Sequence, residues 1–200
     1  MSKEQEEIRF KKEISRWYKT FLGITQSHTY WLYKVIDEIL NENEQIKGII
    51  EIGTGRGAMS IFFGLECYER RYKPLLTYDI LKIREPRLFK LLGIRYIIRD
   101  CFSEESINEI KEYSADDPIF LMCDGGNKAK EFNIIIEFLK PGSIIAAHDW
   151  NEGYDFIRCI GMRRKFIKET IDKYKLVPVK EEEWDRPPDH IKSCFWRKTI

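Results

Sequence analysis

Three glycines closing a short apolar stretch are the first feature of this 200-residue sequence that can do chemistry. Ile49-Ile50-Glu51-Ile52-Gly53-Thr54-Gly55-Arg56-Gly57 carries a strand pattern into alternating glycines and then into helix-forming sequence. Glycines there permit unusual backbone angles and let a ligand come close to the chain. The helix that follows offers unpaired N–H groups at its start. The spacing is GxGxG, with Ala58 where the third glycine of GxGxxG would fall, and no Gly-Lys-Ser/Thr follows. It therefore fits neither the dinucleotide fingerprint nor a Walker loop. Asp79 ends the next strand pattern, where a carboxylate can accept two hydrogen bonds from a ribose diol. Asp100 ends the third, within reach of an adenine amine. An ordinary strand-to-helix turn is the plain alternative for the glycines alone; the two placed acids argue for a ligand.

A second constellation lies further on. The fourth strand pattern ends in Cys123-Asp124-Gly125-Gly126-Asn127-Lys128 and the fifth in His148-Asp149-Trp150. Adjacent strands lie about 4.8 Å apart. If these two are neighbours, Asp124, His148 and Asp149 converge beside the glycine turn. Two carboxylates and an imidazole can hold one divalent ion, the oxygens favouring Mg²⁺ or Mn²⁺ and the histidine also suiting Fe²⁺ or Zn²⁺. A helix cap within a metal-free hydrogen-bonded cluster is the alternative. Asn127 cannot act as a base; Lys128 can if desolvated, and otherwise is a solvent-facing helix lysine. His148 is a rival base if no metal binds it.

The elements that must position these residues follow from the apolar pattern. Ile8, Ile14, Trp17, Phe21 and Leu22 predict a first helix stopped by Gly23, and Ser27 is a candidate N-cap for a second, from His28 to Asn41. Residues 1–45 are thus expected to be an N-terminal helical segment, and 46–200 the core of a single domain. Strands are predicted over Gly48–Ile52, Leu75–Tyr78, Ile94–Ile98, Ile119–Cys123 and Ser143–Ala147. Helices fall between them: one through Phe63 and Leu65, one from Pro86 to Leu92, one capped by Ser103, and one from Asn127 to Leu139. A long helix from Tyr154 to Tyr174 precedes strand candidates Leu176–Val179 and Ser193–Arg197. This alternation predicts an α/β, doubly wound, mostly parallel sheet.

Composition narrows the class. With 43% hydrophobic and 34% charged residues the chain can bury a core, and 34 basic against 33 acidic residues leave a charge of +1, without the footprint of a nucleic-acid wrapper. Five scattered cysteines with no CxxC pair predict reduced thiols and a cytoplasmic protein. The charged start MSKEQEEIRFKKE is unlike a signal peptide, and no apolar run reaches membrane length.

EIGTGRG at Glu51–Gly57 with Asp79 and Asp100 resembles the cofactor site of class I S-adenosylmethionine-dependent methyltransferases, over about Gly48 to Trp150 plus the closing strands. The run DGGNKAKEFNIIIEFLKPGSIIAAHDW, and loosely Gly23-Ile24-Thr25-Gln26, resembles the cephalosporin hydroxylase-like and macrolide-sugar O-methyltransferase groups. The resemblance implies a Rossmann-like fold with a seven-stranded sheet. It implies that Glu51, Gly53, Thr54, Gly55, Gly57, Asp79, Asp100 and Asp124 bind S-adenosylmethionine. It places Asp124, His148 and Asp149 on metal positions for Mg²⁺ or Mn²⁺; from the residues themselves the catalytic candidates are Lys128 and His148 as bases, with Asp149 as the partner that orients His148. A sulfonium methyl is already activated, so a cation that acidifies and fixes a small-molecule or sugar hydroxyl would supply the missing nucleophile. Two positions depart from the pattern. His148 stands where the magnesium enzymes usually carry an acid, and Asn127 where relatives of the Asp-Gly-x-His type carry histidine.

Other residues have weaker assignments. Trp150 and Tyr154 are expected either in an acceptor pocket or in the core. Trp17, Tyr18, Tyr30 and Trp31 are expected as a lid, as core, or as a contact between copies in a homo-oligomer. His28 is expected as a polar contact at a helix start, Arg163-Arg164-Lys165 and Lys168 as a solvated face, and His190 in a loop at the edge of the site. The alternative function is a non-catalytic cofactor-binding scaffold, to which Asn127 points. A nucleic-acid methyltransferase is disfavoured by the charge and by the lack of an Asn/Asp-Pro-Pro-Tyr/Phe turn. A nicotinamide oxidoreductase is disfavoured by the glycine spacing.

Overall fold

Apolar strand runs of four or five residues, separated by helices that each bury one face, leave the chain little choice but a sheet covered on both sides. The computed structural model describes residues 20–22, 24–25, 28–83, 87–150, 162–184 and 192–200. A short antiparallel hairpin, β1 (Thr20–Phe21) and β2 (Ile24–Thr25), precedes α1 (Tyr30–Asn41). Then follow β3 (Ile49–Ile52), α2 (Ala58–Arg70), β4 (Leu76–Asp79), α3 (Arg87–Leu91), β5 (Arg95–Ile98) and α4 (Glu104–Tyr113). The second half comprises β6 (Phe120–Cys123), α5 (Lys128–Ile135), β7 (Ile144–His148), α6 (Arg164–Tyr174), β8 (Val177–Pro178) and β9 (Ser193–Arg197).

The sheet has seven strands in the order β5-β4-β3-β6-β7-β9-β8. β3 to β7 run parallel and β9 is antiparallel to both its neighbours. The winding reverses between β3 and β6, which opens a crevice at their carboxyl ends. Gly53, Asp79, Asp124 and His148 all lie at that edge, as expected from the sequence. β3, β6 and most of β7 are buried on both faces, which explains their unbroken apolar runs.

Three expectations are corrected. The first helix falls mostly on residues outside those described, but its predicted end at Phe21 and Leu22 is a hairpin: Leu22 has a positive φ of 47°, while Phe21 stacks on Tyr33 at 5.5 Å and meets Phe62 edge-on. Among the described residues up to position 45 the helix is α1, whose N-cap is Thr29; Ser27 lies outside the described residues. The long final helix begins only at Arg164. Met162 donates its N–H to the Asp149 carbonyl and pairs with Trp150, which holds the backbone extended there; Tyr154 lies outside the described residues. Trp150 is buried against Trp184, which in turn packs on Trp196, so it belongs to the core. The α6 basic face is exposed, with Arg164 paired to Glu181. The thiols of Cys67, Cys101, Cys123 and Cys194 are free and buried. No helix among the described residues is long and apolar enough to cross a membrane.

Candidate functional site

The glycine turn is shaped by how closely two strand ends approach. Gly53 has φ +97°, and a Cβ there would lie 2.4 Å from the Asp124 carbonyl oxygen. Its N–H donates to the Tyr78 carbonyl at 2.8 Å. Gly55 then turns its N–H onto Asp79 Oδ2 at 2.9 Å, and the Leu81 N–H occupies Oδ1 at 2.9 Å. The Asp79 carboxylate is thereby aimed, and with about four lone-pair directions it keeps two for a ligand. Asp100 Oδ1 accepts from the Phe102 N–H at 2.9 Å. Together with Gly53, Thr54 and Gly55, these acids line a cavity of about 540 Å³ that reaches Asp124 and His28. That volume is within the ~300–1,000 Å³ of small-molecule sites.

Two expected cofactor residues do not reach the cavity. Gly57, with φ 85°, is the N-cap of α2, and its role is to start that helix. Glu51 is 1% exposed and buried beneath the turn. It accepts from Ser60 Oγ and from Thr77 Oγ1, and Thr77 Oγ1 in turn shares a 2.6 Å hydrogen bond with Thr54 Oγ1. Glu51 thus braces the turn from below.

Burial pushes the Glu51 carboxyl up to about 7 from its ordinary value of 4.5, against the opposing pull of its two hydroxyl donors. Between those two values the folded protein keeps a proton that the unfolded chain has released, so this residue's contribution to stability falls as pH rises. Burial lowers His148 instead, so His148 opposes that trend, and only a variant isolates Glu51. Relative to Glu51→Gln, the wild type should lose on the order of 2–3 kcal/mol of unfolding free energy between pH 5 and pH 8. Urea unfolding at the two pH values measures this; an unchanged gap would show that Glu51 carries no proton in the fold.

The polar cluster sits where β6 and β7 end. Asp124 Oδ2 lies 2.8 Å from His28 Nε2. Its Oδ1 is 3.5 Å from Lys128 Nζ, which lies 3.0 Å from Asp149 Oδ2. His148 Nδ1 hydrogen-bonds Ser193 Oγ at 2.9 Å, and its ring meets that of His28 with centroids 4.7 Å apart. Burial alone would raise the Asp124 carboxyl; the His28 hydrogen bond and the neighbouring charges of His148 and Lys128 outweigh it and hold the group below its ordinary value. Burial would lower Lys128, but Asp124 and Asp149 raise it overall. The lysine therefore stays an ammonium, which disfavours the expected role as base. Asn127 is the N-cap of α5, accepting from the Lys130 N–H at 3.1 Å.

The donor set decides where a divalent ion fits. Among the described residues, the histidine and acid atoms that lie within 4.8 Å of one another belong to His28, Asp124 and His148. Of the expected set of Asp124, His148 and Asp149, Asp149 Oδ1 comes within 3.7 Å of His148 Nε2, but the three do not form such a group: the Lys128 ammonium contacts both carboxylates. Charges of +2 and +1 held about 4 Å apart repel by on the order of 8 kcal/mol at an effective dielectric near 20. His28, expected as a mere polar contact, is thus the member that sequence reasoning missed. Glu131 is another: its carboxylate takes the N–H groups of Gly125 and Asn127 at 3.1 Å each and shapes the Asp-Gly turn. Tyr30 and Trp31 do not line the cavity; Trp17, Tyr18 and His190 lie outside the described residues.

No protein-family model and no curated protein matches the chain. Among solved structures it resembles the apo form of CmcI-N160 (TM-score 0.64, 12% identity, 89% of this chain and 75% of that one). It also resembles CalS11, a calicheamicin methyltransferase (0.56, 12%, 98% and 93%), and a protein from Corynebacterium glutamicum (0.54, 9%, 96% and 89%). At these identities the likeness is one of fold. The chain has the Rossmann-like α/β fold that the calicheamicin methyltransferase CalS11 also has.

Proposed function

We propose that the chain is an S-adenosylmethionine-dependent methyltransferase that methylates a hydroxyl of a small molecule or sugar. The observation that carries this reading is one continuous cavity with a ribose-ready carboxylate, Asp79, at one end and the His28–Asp124 pair at the other. The glycine turn would hold the methionine part of the cofactor, Asp79 its ribose and Asp100 its adenine side. That order directs the sulfonium toward Asp124, whose ionised carboxylate is the nearby countercharge. A structural neighbour described as TDP-rhamnose 3′-O-methyltransferase motivates the choice of a sugar hydroxyl.

An incoming hydroxyl must be held in line with the methyl group and must lose its proton. Asp124 and the two imidazoles offer acceptors for that hydroxyl. A divalent ion among these donors would lower the pKa of the hydroxyl and fix its oxygen. Asp149, about a third exposed and fixed by Lys128, is the carboxylate placed to pass the proton to solvent. Lys128 supplies a fixed positive charge beside the developing alkoxide.

Calorimetric titration with S-adenosylhomocysteine tests the cofactor, and release of that product from S-adenosylmethionine with a panel of sugar and phenolic hydroxyls tests turnover. Asp79→Ala should weaken the cofactor by roughly 1.5–3 kcal/mol, or about 10–150-fold, because the ribose diol loses a charged acceptor. Unchanged affinity in a folded variant would remove Asp79 from the site. Binding without any product release would favour a scaffold.

A further inference from the structure

We propose that His28, Asp124 and His148 form a two-histidine, one-carboxylate site for a divalent first-row transition ion, with His28 tying the segment ahead of α1 to the cofactor cleft. The inference deepens the methyl-transfer reading and rests on it only for the use of the ion.

Three separate parts of the chain supply the donors: the residue before the α1 cap, the end of β6 and the end of β7. Their side chains are 11%, 17% and 15% exposed, so a hydrated ion would have to exchange water for protein ligands. Asp124 is divided between two partners. Its Oδ2 faces His28, while its Oδ1 faces the ammonium of Lys128. Asp149 Oδ2 is engaged by that ammonium and its Oδ1 lies 3.7 Å from His148 Nε2, so it borders the histidine side as a neighbouring charge, outside the His28, Asp124 and His148 donor atoms that lie within 4.8 Å of one another. His148 has its Nδ1 fixed by Ser193 Oγ, the second contact that orients a metal-binding imidazole and leaves Nε2 for the ion. Two imidazoles with one carboxylate suit Mn²⁺, Fe²⁺ or Zn²⁺, whereas Mg²⁺ prefers oxygen ligands throughout.

The charges also balance. Asp124 and Asp149 against Lys128 leave one net negative charge. A divalent ion makes this one positive, and an acceptor alkoxide brings the cluster to zero at the step that needs the nucleophile.

His28 also couples the ion to the N-terminal segment. Phe21 of the hairpin is held by Tyr33 and Phe62, and the His28 ring meets Tyr33 edge-on at 6.4 Å. Aromatic packing thus docks one end of the segment, and ligation through His28 would fasten the other beside the cavity.

Mn²⁺ is the probe, since buried thiols such as Cys123 and Cys194 attract Zn²⁺ whenever the chain opens. Protein stripped by chelator and titrated with Mn²⁺ should take up one ion per chain, more tightly than Mg²⁺. Pulsed electron paramagnetic resonance should show two imidazole nitrogens on the ion. His28→Ala and His28→Gln should each weaken Mn²⁺ by roughly 100-fold or more, beyond the ~10–100-fold effect of outer-sphere partners, and should leave one nitrogen coupling. Asp149→Asn removes a neighbouring charge and no ligand, so it should weaken Mn²⁺ less than either His28 variant does and should keep both nitrogen couplings. Amide exchange in residues 20–29 should slow with Mn²⁺ in the wild type and not in the His28 variants. The proposal is overturned if folded wild type binds no Mn²⁺, if both His28 variants bind it as wild type does, or if Asp149→Asn removes a nitrogen coupling or weakens Mn²⁺ more than the His28 variants do. S-adenosylhomocysteine titrated into the same samples keeps the two readings apart: cofactor binding without Mn²⁺ overturns the ion alone, and Mn²⁺ binding without cofactor overturns only the methyl-transfer reading.

Discussion

Asp124→Asn should lower the rate of methyl transfer about 10²–10⁴-fold, the range in which positioned proton handling acts, while S-adenosylhomocysteine still binds. The split follows from where the residue sits. Asp124 closes the far end of the cavity and holds His28 at 2.8 Å and Lys128 at 3.5 Å, whereas the groups proposed for ribose and adenine are Asp79 and Asp100 at the other end. Asparagine keeps the shape and loses the charge. The His28 ring then lacks its anionic partner, and the Lys128 ammonium is left with Asp149 alone. Asp124→Ala is the harsher variant, because taking one partner from a mostly buried ion pair commonly costs about 3–5 kcal/mol of stability; the asparagine variant therefore reads the chemistry more cleanly. Single-turnover rates set beside calorimetric cofactor affinity measure the two effects separately. If Asp124→Asn transfers methyl groups at the wild-type rate, the reaction centre lies elsewhere.

How far the sequence led depended on whether a signal was local. The parallel strands could be read because each is a short apolar run ended by a glycine or an acid, and the acids at Asp79, Asp100 and Asp124 fall at strand ends whatever the strand order. Glu51 was misplaced for a reason of period. Side chains alternate along β3, and the strand register sets Glu51 opposite Thr77, under the glycine turn rather than beside its ligand face; only the pairing of β3 with β4 reveals it. His28 was missed because its partner is 96 residues away in sequence, and a single histidine before a helix carries no pattern. Lys128 could have been paired with Asp124 from their spacing of four. Its attachment to Asp149, which moves the place for a cation, needed β6 and β7 side by side. The β1–β2 hairpin has two residues per strand, too few for any period, so apolar Phe21 and Leu22 read as the end of a helix.

Gly53→Ala should be the most damaging small substitution in the glycine turn, and the reason is contact more than conformation. A left-handed residue other than glycine costs on the order of 1–2 kcal/mol by itself. At Gly55, with φ +53°, an added Cβ would meet nothing within 4 Å, so Gly55→Ala should cost about that much and no more. At Gly53 the added carbon would meet Asp124 O at 2.4 Å, Asp124 C at 2.6 Å and Gly125 N at 2.8 Å. All three are backbone atoms, and no side-chain rotation relieves them. Either β3 and β6 part at their ends or the Asp124-Gly125 turn moves, and the Ile52 carbonyl that takes the Asp124 N–H at 2.8 Å resists both. The expected loss is about 3 kcal/mol or more once steric displacement is added to the backbone term. Because the displaced residue is Asp124, Gly53→Ala should also impair methyl transfer more than cofactor binding, whereas Gly55→Ala, whose N–H orients Asp79, should act on the cofactor first. Denaturant unfolding of the two variants, with cofactor titration and transfer rates beside it, checks the contrast; equal stability losses at the two glycines would mean that the close approach of β3 to the Asp124 turn is not what reserves position 53 for glycine.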